Sequence, residues 1–370
     1  MKVPFADLAI QYKTLKPEID KVIAEVLNTG NFIGGSHVRQ FEESFSSLCH
    51  VKNCIAIGNA TDGLFLSLKA LGIGPGDEVI TPAWSWISTS EVITMAGAKP
   101  VFADVDLEYY TITEENVKSK ITSRTKAIIV VHLYGQVADV NSIKALCEHS
   151  NLFLIEDCSQ AHLSSQSDFM AGSTGDCGVF SFYPTKNLGA FGDAGCVITN
   201  QDQLAEKIRR LANHGGLSKD DHLIEGFNSR MDTMQAAILN VKLNYLKEWN
   251  SRRIKNAQLY FENLTALKSL RLPKLRNDTA HTFHQFVIRV EQRDELKSFL
   301  ESKGVQTLIH YPKALPFEPA YCYLLHSIDD FPVSSQLQHT VLSLPVSPEI
   351  SEDQIRYVCS MINEFYEGKN

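Results

Sequence analysis

The sequence predicts an α/β fold, in which a large domain with a mostly parallel β-sheet is followed by a smaller α+β domain. Two observations carry this prediction. Apolar runs of strand length alternate with amphipathic stretches through the first two thirds of the 370 residues, which is typical of parallel strands covered by crossover helices. From about residue 250 this alternation gives way to helix, loop, strand, helix, strand and a closing helix. Hydrophobic residues make up 44% of the chain, enough for a sizeable core.

Seven short strands are expected in the large domain. They are read in segments 53–59, 77–82, 99–106, 126–135, 151–158, 177–184 and 195–200. Helices are expected between them, among them 61–72, which ends at Gly72, and 139–150.

A long amphipathic helix is expected to link the two domains. Apolar residues recur at three- and four-residue steps from Met234 to Trp249, and Asp232 with Gln235 three places on resembles a helix cap. This predicts a large domain over 1–245, including an N-terminal helical segment, and a small domain over 246–370. The small domain is expected to contain a helix at 254–264, a loop at 276–280, a strand at 281–290, a helix at 294–304, a strand at 305–312 and a helix at 351–367.

Charge, hydropathy and cysteine usage exclude several classes of protein. There are 35 Lys and Arg residues against 43 Asp and Glu, a net charge of -8, and no dense basic run that would follow a phosphate backbone, so a nucleic acid is not expected as a partner. No apolar run is long enough to span a membrane, and the N-terminus lacks a signal-peptide core. The eight cysteines form no C-x-x-C pair, which predicts a reduced, cytoplasmic protein.

Polar residues at the ends of predicted strands are the candidate site, because open parallel sheets bind ligands at the carboxyl ends of their strands. The first strand breaks at Gly58 and enters a helix at Thr61, where free backbone N–H groups could hold a phosphate. An ordinary turn with Thr61 as the helix cap is the alternative. Glu156 and Asp157 end a strand that is apolar enough to be buried, so Asp157 needs a cationic partner or several donors. A structural salt bridge would also satisfy it.

Lys186 follows Ser181 in a Pro-containing turn with several glycines. A phosphate-binding lysine of the G-x-x-x-x-G-K-[ST] type is excluded because that motif is absent. A Schiff-base lysine would need burial and a cofactor that accepts electrons, whereas a lone lysine in a surface turn is the plain alternative. Trp84 and Trp86, just past another strand, are either core anchors or a stacking face.

A turn that could bind phosphate, an aromatic ring for stacking, an acid and a lysine together predict one ligand, pyridoxal phosphate (PLP). A metal site is not expected. His281 and His284 alternate within a strand-like run and have no acidic or cysteine companions at ligand spacing, so we interpret both as structural.

Six segments resemble those of the sugar-nucleotide aminotransferases and occur in the same order. They are GNATDGL, EDCSQAH, SFYPTKNLGAFGDAG, GFNSRMDTMQAAIL, HYP and LSLPVSPEI. The resemblance covers nearly the whole chain. It implies the aspartate-aminotransferase type of PLP fold (fold type I), with a mixed, mostly parallel seven-stranded sheet. It also implies a homodimer with active sites at the subunit boundary.

The same resemblance implies a role for each matching residue. Lys186 would bind the PLP aldehyde and move the proton, and Asp157 would keep the pyridine nitrogen protonated. The remaining cofactor contacts would be Gln160 to the ring hydroxyl, Trp86 stacked on the ring, and Thr61, Asp62 and Ser181 at the phosphate. Asn228 would reach the phosphate in the neighbouring subunit. His310, Tyr311 and Arg230 would contact substrate or shape the pocket mouth, with a structural role an equal alternative.

The implied reaction moves an amino group from L-glutamate to a nucleotide-linked keto-sugar, with PLP cycling through pyridoxamine phosphate. HLYGQ, at the end of the fourth strand, favours amination at C3 of a dTDP-linked 6-deoxyhexose, for amino-sugar, O-antigen or lipopolysaccharide synthesis. The alternatives are a C4-keto or UDP-sugar substrate, or a regulatory PLP-binding homologue without turnover. Ala60 and Leu163 occupy positions where the family often has glycine. These differences bear on the identity of the sugar substrate and not on the prediction of PLP. A nicotinamide dehydrogenase is disfavoured because no G-x-G-x-x-G follows the first strand.

Overall fold

A computed structural model describes residues 1–368, and it contains the large sheet and the smaller C-terminal unit that the sequence predicts. The strands are β1 Asn53–Ile57, β2 Glu78–Pro82, β3 Lys99–Ala103, β4 Thr125–Val131, β5 Phe153–Asp157, β6 Ser165–Gln166, β7 Phe169–Met170, β8 Cys177–Ser181, β9 Gly195–Thr199, β10 Leu270–Arg271, β11 Thr279–Ala280, β12 Phe286–Val290 and β13 Val341–Leu344. The helices are α1 Leu8–Thr29, α2 Ser36–Leu48, α3 Ala60–Ala70, α4 Ser88–Met95, α5 Glu114–Lys118, α6 Val140–Ser150, α7 Asp202–Ala212, α8 Thr233–Leu243, α9 Leu246–Leu264, α10 Arg293–Ser302, α11 Pro332–Thr340 and α12 Glu352–Glu367.

The large sheet is mixed and mostly parallel, as expected. Its strand order is β1-β9-β8-β5-β4-β2-β3. β9 runs antiparallel to both of its neighbours, β1 and β8, whereas β8, β5, β4, β2 and β3 pair in parallel. Six strands therefore run in one direction and end at the same edge of the sheet. The prediction of an α/β fold is confirmed.

Helices cover both faces of this sheet, which explains why its strands are apolar nearly throughout. We call one face the α3 face, on which Ile57, Ile155 and Val179 are buried beneath α3 and α7. We call the other the α2 face, on which Phe180 packs with Phe45 of α2. Because successive strand residues point to opposite faces, neighbouring residues in one strand belong to different cores.

The C-terminal unit has its own core around an antiparallel sheet, β10-β12-β13. Tyr260 of α9 stacks on Phe286 of β12 with ring centroids 4.7 Å apart. Val3, from the N-terminus, also packs in this core and bridges to Val305. The boundary predicted between residues 245 and 246 falls in the break between α8 and α9, and it remains a prediction.

The predicted helix from Met234 to Trp249 is wrong as one element, because it breaks into α8 and α9 between residues 243 and 246. The apolar spacing continues across the break, but α8 packs on α1 and α2 whereas α9 packs on α12. Asp232 is the N-cap residue of α8, as predicted, but its side chain makes no cap bond. Gln235 does not complete a capping box, because its Oε1 accepts from the Phe191 amide at 2.9 Å.

Of two strands predicted in the C-terminal unit, one is shorter than expected and the other is wrong. The strand expected at 281–290 begins only at Phe286, because the amides of Thr282 and Gln285 donate to the carbonyls of Gly135 and Tyr134 and leave the ladder. Segment 305–312 contributes only isolated bridges. The third strand of that sheet is instead β13, which the sequence analysis missed.

Smaller corrections concern segment ends. The strand expected over 126–135 ends at Val131, since Tyr134 adopts a positive φ of 61° that a strand does not allow. The expected loop 276–280 contains the short strand β11, which pairs with β6. Within residues 1–368, we find no helix with both the length and the apolar composition required to cross a membrane.

Candidate active site

The candidate active site lies at the edge of the large sheet where the parallel strands end. Asp157 is the last residue of β5, and Ser181 is the last residue of β8. Trp86 follows β2, and α3, which carries Thr61 and Asp62, begins three residues after the end of β1. Because these strands share one direction, polar residues that are far apart in sequence meet at one edge.

Lys186 lies in a turn just after β8. Its amide donates to the Tyr183 carbonyl at 2.8 Å, and its side chain is partly buried. Burial lowers the pKa of Lys186 to about 8, while the charge of Asp157 raises it. A share of the amine is therefore neutral and nucleophilic near neutral pH, and the lysine is not one of an exposed surface turn.

Asp157 is 6% exposed, and its Oδ1 accepts from the Ser159 amide at 3.0 Å. Its charge acts on Lys186 and on Tyr311. Lys186 therefore supplies a positive charge that interacts with Asp157, in line with the cationic partner that the sequence analysis expected. Register pairs Asp157 with Val179 of β8, so its side chain lies on the α3 face.

Glu156, the preceding residue, points to the α2 face and is saturated by internal donors. His132 Nε2 lies 2.7 Å from it, and the amides of Gly172, Thr174 and Gly175 donate at 2.9, 2.8 and 2.6 Å. Burial by itself would raise the pKa of Glu156, but His132 and these amides hold it below its usual value. Glu156 is thus bound within the protein interior.

Gln160, Tyr311 and Trp86 form one contact group. Gln160 Nε2 donates to the Tyr311 hydroxyl at 2.9 Å, and its Oε1 accepts from the Tyr134 amide at 2.7 Å. The Trp86 ring centroid lies 6.1 Å from that of Tyr311. Trp86 is 60% exposed whereas Trp84 is buried, so Trp84 is the core anchor and Trp86 has an open ring face.

Helix α3 begins at the same edge and has its cap at Asn59. Asn59 Oδ1 accepts from the Asp62 amide at 2.9 Å, so the alternative in which Thr61 caps the helix is wrong. The Thr61 hydroxyl lies 2.8 Å from that of Ser88. Asp62 accepts from the Ser229 hydroxyl at 2.7 Å. The first amides of a helix have no intrahelical acceptor. Backbone N–H groups at the Thr61 end of α3 can therefore donate to a ligand.

Ser181 faces this helix start across one strand. It pairs with Gly195 of β9, and a Cβ atom on Gly195 would lie 2.6 Å from the carbonyl carbon of Asn59 and 2.8 Å from the Ala60 nitrogen. Only glycine allows that approach. Ser181, the end of β1 and the start of α3 are thereby brought to one corner of the sheet.

The structure places the predicted substrate residues in two groups. His310 Nδ1 lies 2.8 Å from the Ser343 hydroxyl, and burial together with the Lys186 charge lowers the pKa of His310 to about 4. Tyr311 and His310 therefore adjoin Lys186 and Gln160. Arg230, by contrast, donates to Asn213 Oδ1 at 3.0 Å.

Asn228 is exposed. Within residues 1–368, no hydrogen bond or ion pair joins Asn228 or Arg230 to Lys186 or Asp157.

Sequence reasoning missed several residues that surround Lys186. His162 is fully buried, and burial together with the Lys186 charge lowers its pKa to about 3. It lies five residues beyond Asp157, so its place in EDCSQAH was the available signal. His284 Nδ1 lies 3.1 Å from Asn187 Oδ1. His281 and His284 are buried, but they precede β12 and do not alternate within it.

Comparison with known proteins gives the same family over almost the whole chain. The model described as the DegT/DnrJ/EryC1/StrS aminotransferase family matches residues 13–363. A pleiotropic regulatory protein of Geobacillus stearothermophilus is 43% identical over 368 residues, which cover 99% of each chain. The dTDP-3-amino-3,6-dideoxy-alpha-D-galactopyranose transaminase of Aneurinibacillus thermoaerophilus is 42% identical over 363 residues, which cover 98% of this chain and 99% of that one.

A solved structure also matches nearly the whole chain. The X-ray structure of DesV from S. venezuelae, in complex with a ketimine intermediate, has a TM-score of 0.96 and 38% identity, and it covers 98% of both chains.

Proposed function

This chain belongs to the DegT/DnrJ/EryC1/StrS aminotransferase family, and we propose that it moves an amino group from L-glutamate to a dTDP-linked 3-keto-6-deoxyhexose. It is a PLP-dependent sugar-nucleotide aminotransferase. The observation that carries the proposal is the partly buried Lys186, whose pKa is lowered by burial and whose charge is countered by Asp157.

Pyridoxal phosphate, cycling through pyridoxamine phosphate, is the cofactor. When bound, it supplies an aldehyde that reacts with amines and a ring that takes up an electron pair. The residues at the sheet edge fit these needs. A lysine with a lowered pKa offers a neutral amine, and the Asp157 carboxylate would hold a proton on the ring nitrogen.

The phosphate group fits the corner where β1, β8 and α3 meet. Ser181 offers a hydroxyl at the end of β8, and Thr61 offers a hydroxyl and a backbone amide in the first turn of α3. The positive end of the α3 dipole favours an anion at the same place. The Asp62 side chain accepts from Ser229, so we propose that Asp62 contributes by fixing the Ser229 segment beside the phosphate.

The chain's own groups would position substrate and move the proton. Lys186 Nζ, neutral in part near pH 8, would take up a proton from the amine-bearing carbon and return it. Gln160, oriented by the Tyr134 amide, would hold the ring hydroxyl, and the open face of Trp86 would cover the ring. His310 and Tyr311 would line the substrate side, whereas Arg230 would shape the pocket mouth.

The finer substrate rests on the relatives and on HLYGQ. Transaminases of dTDP-3-amino sugars match over nearly the full chain, and Tyr134 of HLYGQ donates its hydroxyl to the His310 carbonyl at the site. A UDP-linked keto-sugar is the main alternative. A regulatory role without turnover is a second one, since one full-length relative carries a regulatory name. Intact Lys186, Asp157 and Gln160 favour turnover.

We also propose a homodimer with shared sites. The loop that ends at Asn228 exposes Leu223, Ile224 and Phe227, and Leu223 is 70% exposed. Apolar side chains grouped on one loop favour burial against another chain. In such a dimer Asn228 would reach the phosphate of the neighbouring subunit. The compartment we propose is the cytoplasm, where the eight cysteines stay reduced.

Two assays on the holoenzyme test the reaction. In the first, L-glutamate is added without sugar. The absorbance of bound PLP should convert to that of the pyridoxamine form, with release of 2-oxoglutarate. An unchanged spectrum would favour the regulatory alternative. In the second, dTDP-, UDP- and GDP-linked 3-keto and 4-keto sugars are offered, and the product is identified by mass and NMR. Amination of a UDP sugar alone would overturn the dTDP assignment.

Hybrid dimers test the shared site. Mixing inactive Lys186→Ala subunits with Asn228→Ala subunits should restore part of the activity, because one of the two sites in each hybrid then has both residues. A fully active monomer in sedimentation analysis would contradict the dimer.

A further inference from the structure

Lys242, on α8, is a buried lysine that the reaction above does not use. It is 1% exposed, and its Nζ donates to the Gly189 carbonyl. The ring faces of Phe191 and Trp249 lie 5.1 and 5.9 Å from Nζ. Burial lowers the pKa of Lys242 to about 8, and Glu349 raises it. Among residues 1–368, no carboxylate forms an ion pair with Lys242.

A buried ammonium group without a paired carboxylate is costly, and an apolar residue of similar length would fill the same space at less cost. Packing alone therefore does not account for a lysine at position 242. Its distinctive property is a hydrogen-bond donor at the end of a long side chain. We therefore expect the role of Lys242 to be its hydrogen bond to the Gly189 carbonyl.

Gly189 closes the turn that carries Lys186. A Cβ atom at Gly189 would lie 2.2 Å from the Pro184 carbonyl oxygen, so the two ends of segment 184–189 are in close contact. The next residue, Ala190, donates its amide to the Phe182 carbonyl at 2.7 Å. Any movement of Gly189 must therefore shift the turn on which Lys186 stands.

Asn187, the neighbour of Lys186, makes a second set of hydrogen bonds that restrain the same turn. Asn187 is 2% exposed. Its Nδ2 donates to Asn250 Oδ1 at 2.8 Å and to the Thr282 carbonyl at 3.2 Å. Its Oδ1 lies 3.1 Å from His284 Nδ1. Burial holds the pKa of His284 well below its usual range, so a neutral His284 with a proton on Nδ1 donates here.

We propose that Lys242 and Asn187 are positioning residues, which hold the turn at 184–189 so that the Lys186 amine stays directed at the Asp157 end of the site. Lys242 acts from α8 through Gly189. Asn187 acts from inside the turn and ties it to α9 and to segment 282–284, beside the C-terminal sheet. This inference rests on the proposed role of Lys186.

Lys242→Met tests the proposal because stability and reactivity should change in different ways. Removing a buried charge should leave the melting temperature of the apoprotein unchanged or higher. Loss of the bond to Gly189 should slow the glutamate half-reaction of the holoenzyme about 10- to 100-fold, as small displacements of a catalytic group do. The pH midpoint for reaction of the Lys186 amine with an amine-selective reagent, followed by peptide mass, should also shift in the apoprotein.

Two matched variants complete the design. Lys242→Arg keeps a cationic donor and should recover part of the lost rate. Lys247→Met removes an exposed lysine on α9 and should change neither the rate nor the midpoint. If Lys242→Met does not unfold cooperatively, Asn187→Ser provides the same measurements, since it removes the bonds to Asn250 and Thr282 from the turn.

The proposal is overturned if a well-folded Lys242→Met keeps the wild-type rate and midpoint, or if the rate lost in both variants only follows their loss of stability. Failure of the proposed function has a different signature. In that case wild-type protein does not convert its bound cofactor with glutamate, or Lys186→Ala does so at the normal rate.

Discussion

Two adjacent carboxylates at the end of β5, one on each face of the large sheet, differ in how many hydrogen bonds they receive. On the α2 face, Glu156 receives hydrogen bonds from His132 and three backbone amides. On the α3 face, the Asp157 carboxylate receives one hydrogen bond from the part of the chain that the structure describes, donated by the Ser159 amide, and it acts on Lys186 through its charge. Both side chains are buried at the end of the same strand. They differ in how much of their bonding capacity the protein itself uses.

This difference separates a structural carboxylate from one that can bind a ligand. A buried carboxylate with four internal donors has its charge compensated and no capacity for another partner. One with a single internal donor is stable only if a cation or a ligand supplies the rest. Asp157 is in the second situation, so variants at Asp157 and at the residues proposed to bind the same ligand should change activity, whereas variants at Glu156 should change stability.

The largest effect is expected for Lys186→Ala. Loss of the only amine proposed to move the proton should lower kcat by about 10⁴-fold, at the upper end for removal of a general acid–base group, and the absorbance of the covalently bound cofactor should disappear. Steady-state kinetics and absorbance spectra measure both. The exposed Lys247→Ala serves as control. Turnover at the normal rate in Lys186→Ala would remove Lys186 from the chemistry.

Asp157→Asn should lower kcat by about 10²- to 10³-fold, the range found when one preorganised electrostatic group is removed from an active site. The neutral amide cannot hold a proton on the ring nitrogen. The free energy of unfolding of the apoprotein should change little, because residues 1–368 supply the Asp157 carboxylate with only one hydrogen-bond donor. Denaturant unfolding and kinetics on the same preparation measure the two effects. A large loss of stability with normal kcat would mean that Asp157 resembles Glu156.

Glu156→Gln should show the opposite behaviour. Its amide group would face amides that now donate to a carboxylate, so the free energy of unfolding should fall by about 3 kcal/mol. The pKa of Glu156 is held below its ordinary 4.5 in the folded protein. Its stabilisation is therefore present above pH 4.5 and is lost as the pH falls through the folded pKa. Urea unfolding below pH 4.5 should show a shallower pH dependence in the variant than in wild type.

Ser181→Ala should weaken cofactor binding about 10- to 100-fold, since a hydrogen bond to a charged group contributes roughly 1.5 to 3 kcal/mol. Titration of the apoprotein with PLP, followed by absorbance, measures the affinity. Ser173→Ala is a suitable control, because its hydroxyl donates to the Met170 carbonyl elsewhere. Equal affinity in wild type and Ser181→Ala would remove Ser181 from the phosphate site.

The smallest effect is a shift in pH dependence. Reaction of the Lys186 amine in the apoprotein should increase with pH through a midpoint near 8, because burial lowers its pKa to about 8. Asp157 raises that pKa, so Asp157→Asn should move the midpoint to lower pH. Mass-spectrometric labelling of the Lys186 peptide across a pH series measures it. A midpoint that does not move in Asp157→Asn would mean that the two charges do not interact.

The elements of the large sheet were predictable because each strand is an apolar run bounded by turn residues, and both features are local. Asp157 and Lys186 were proposed as site residues for the same reason, as polar residues that follow such runs. The helix break after Leu243 and the strand at 341–344 were not predictable. Each depends on which neighbour a segment packs against, as when α8 docks on α1 and α2 and α9 docks on α12.

By itself, the sequence determined the fold class, the family and the order of the motifs, because alternating hydrophobicity and motif spacing are properties of the chain. Only the tertiary structure decided which of two adjacent carboxylates remains available and that Lys242 contacts the turn of Lys186. The physical reason is that burial and hydrogen-bond partners come from residues far apart in the chain. Their effect on pKa and bonding capacity exists only once those residues have been brought together.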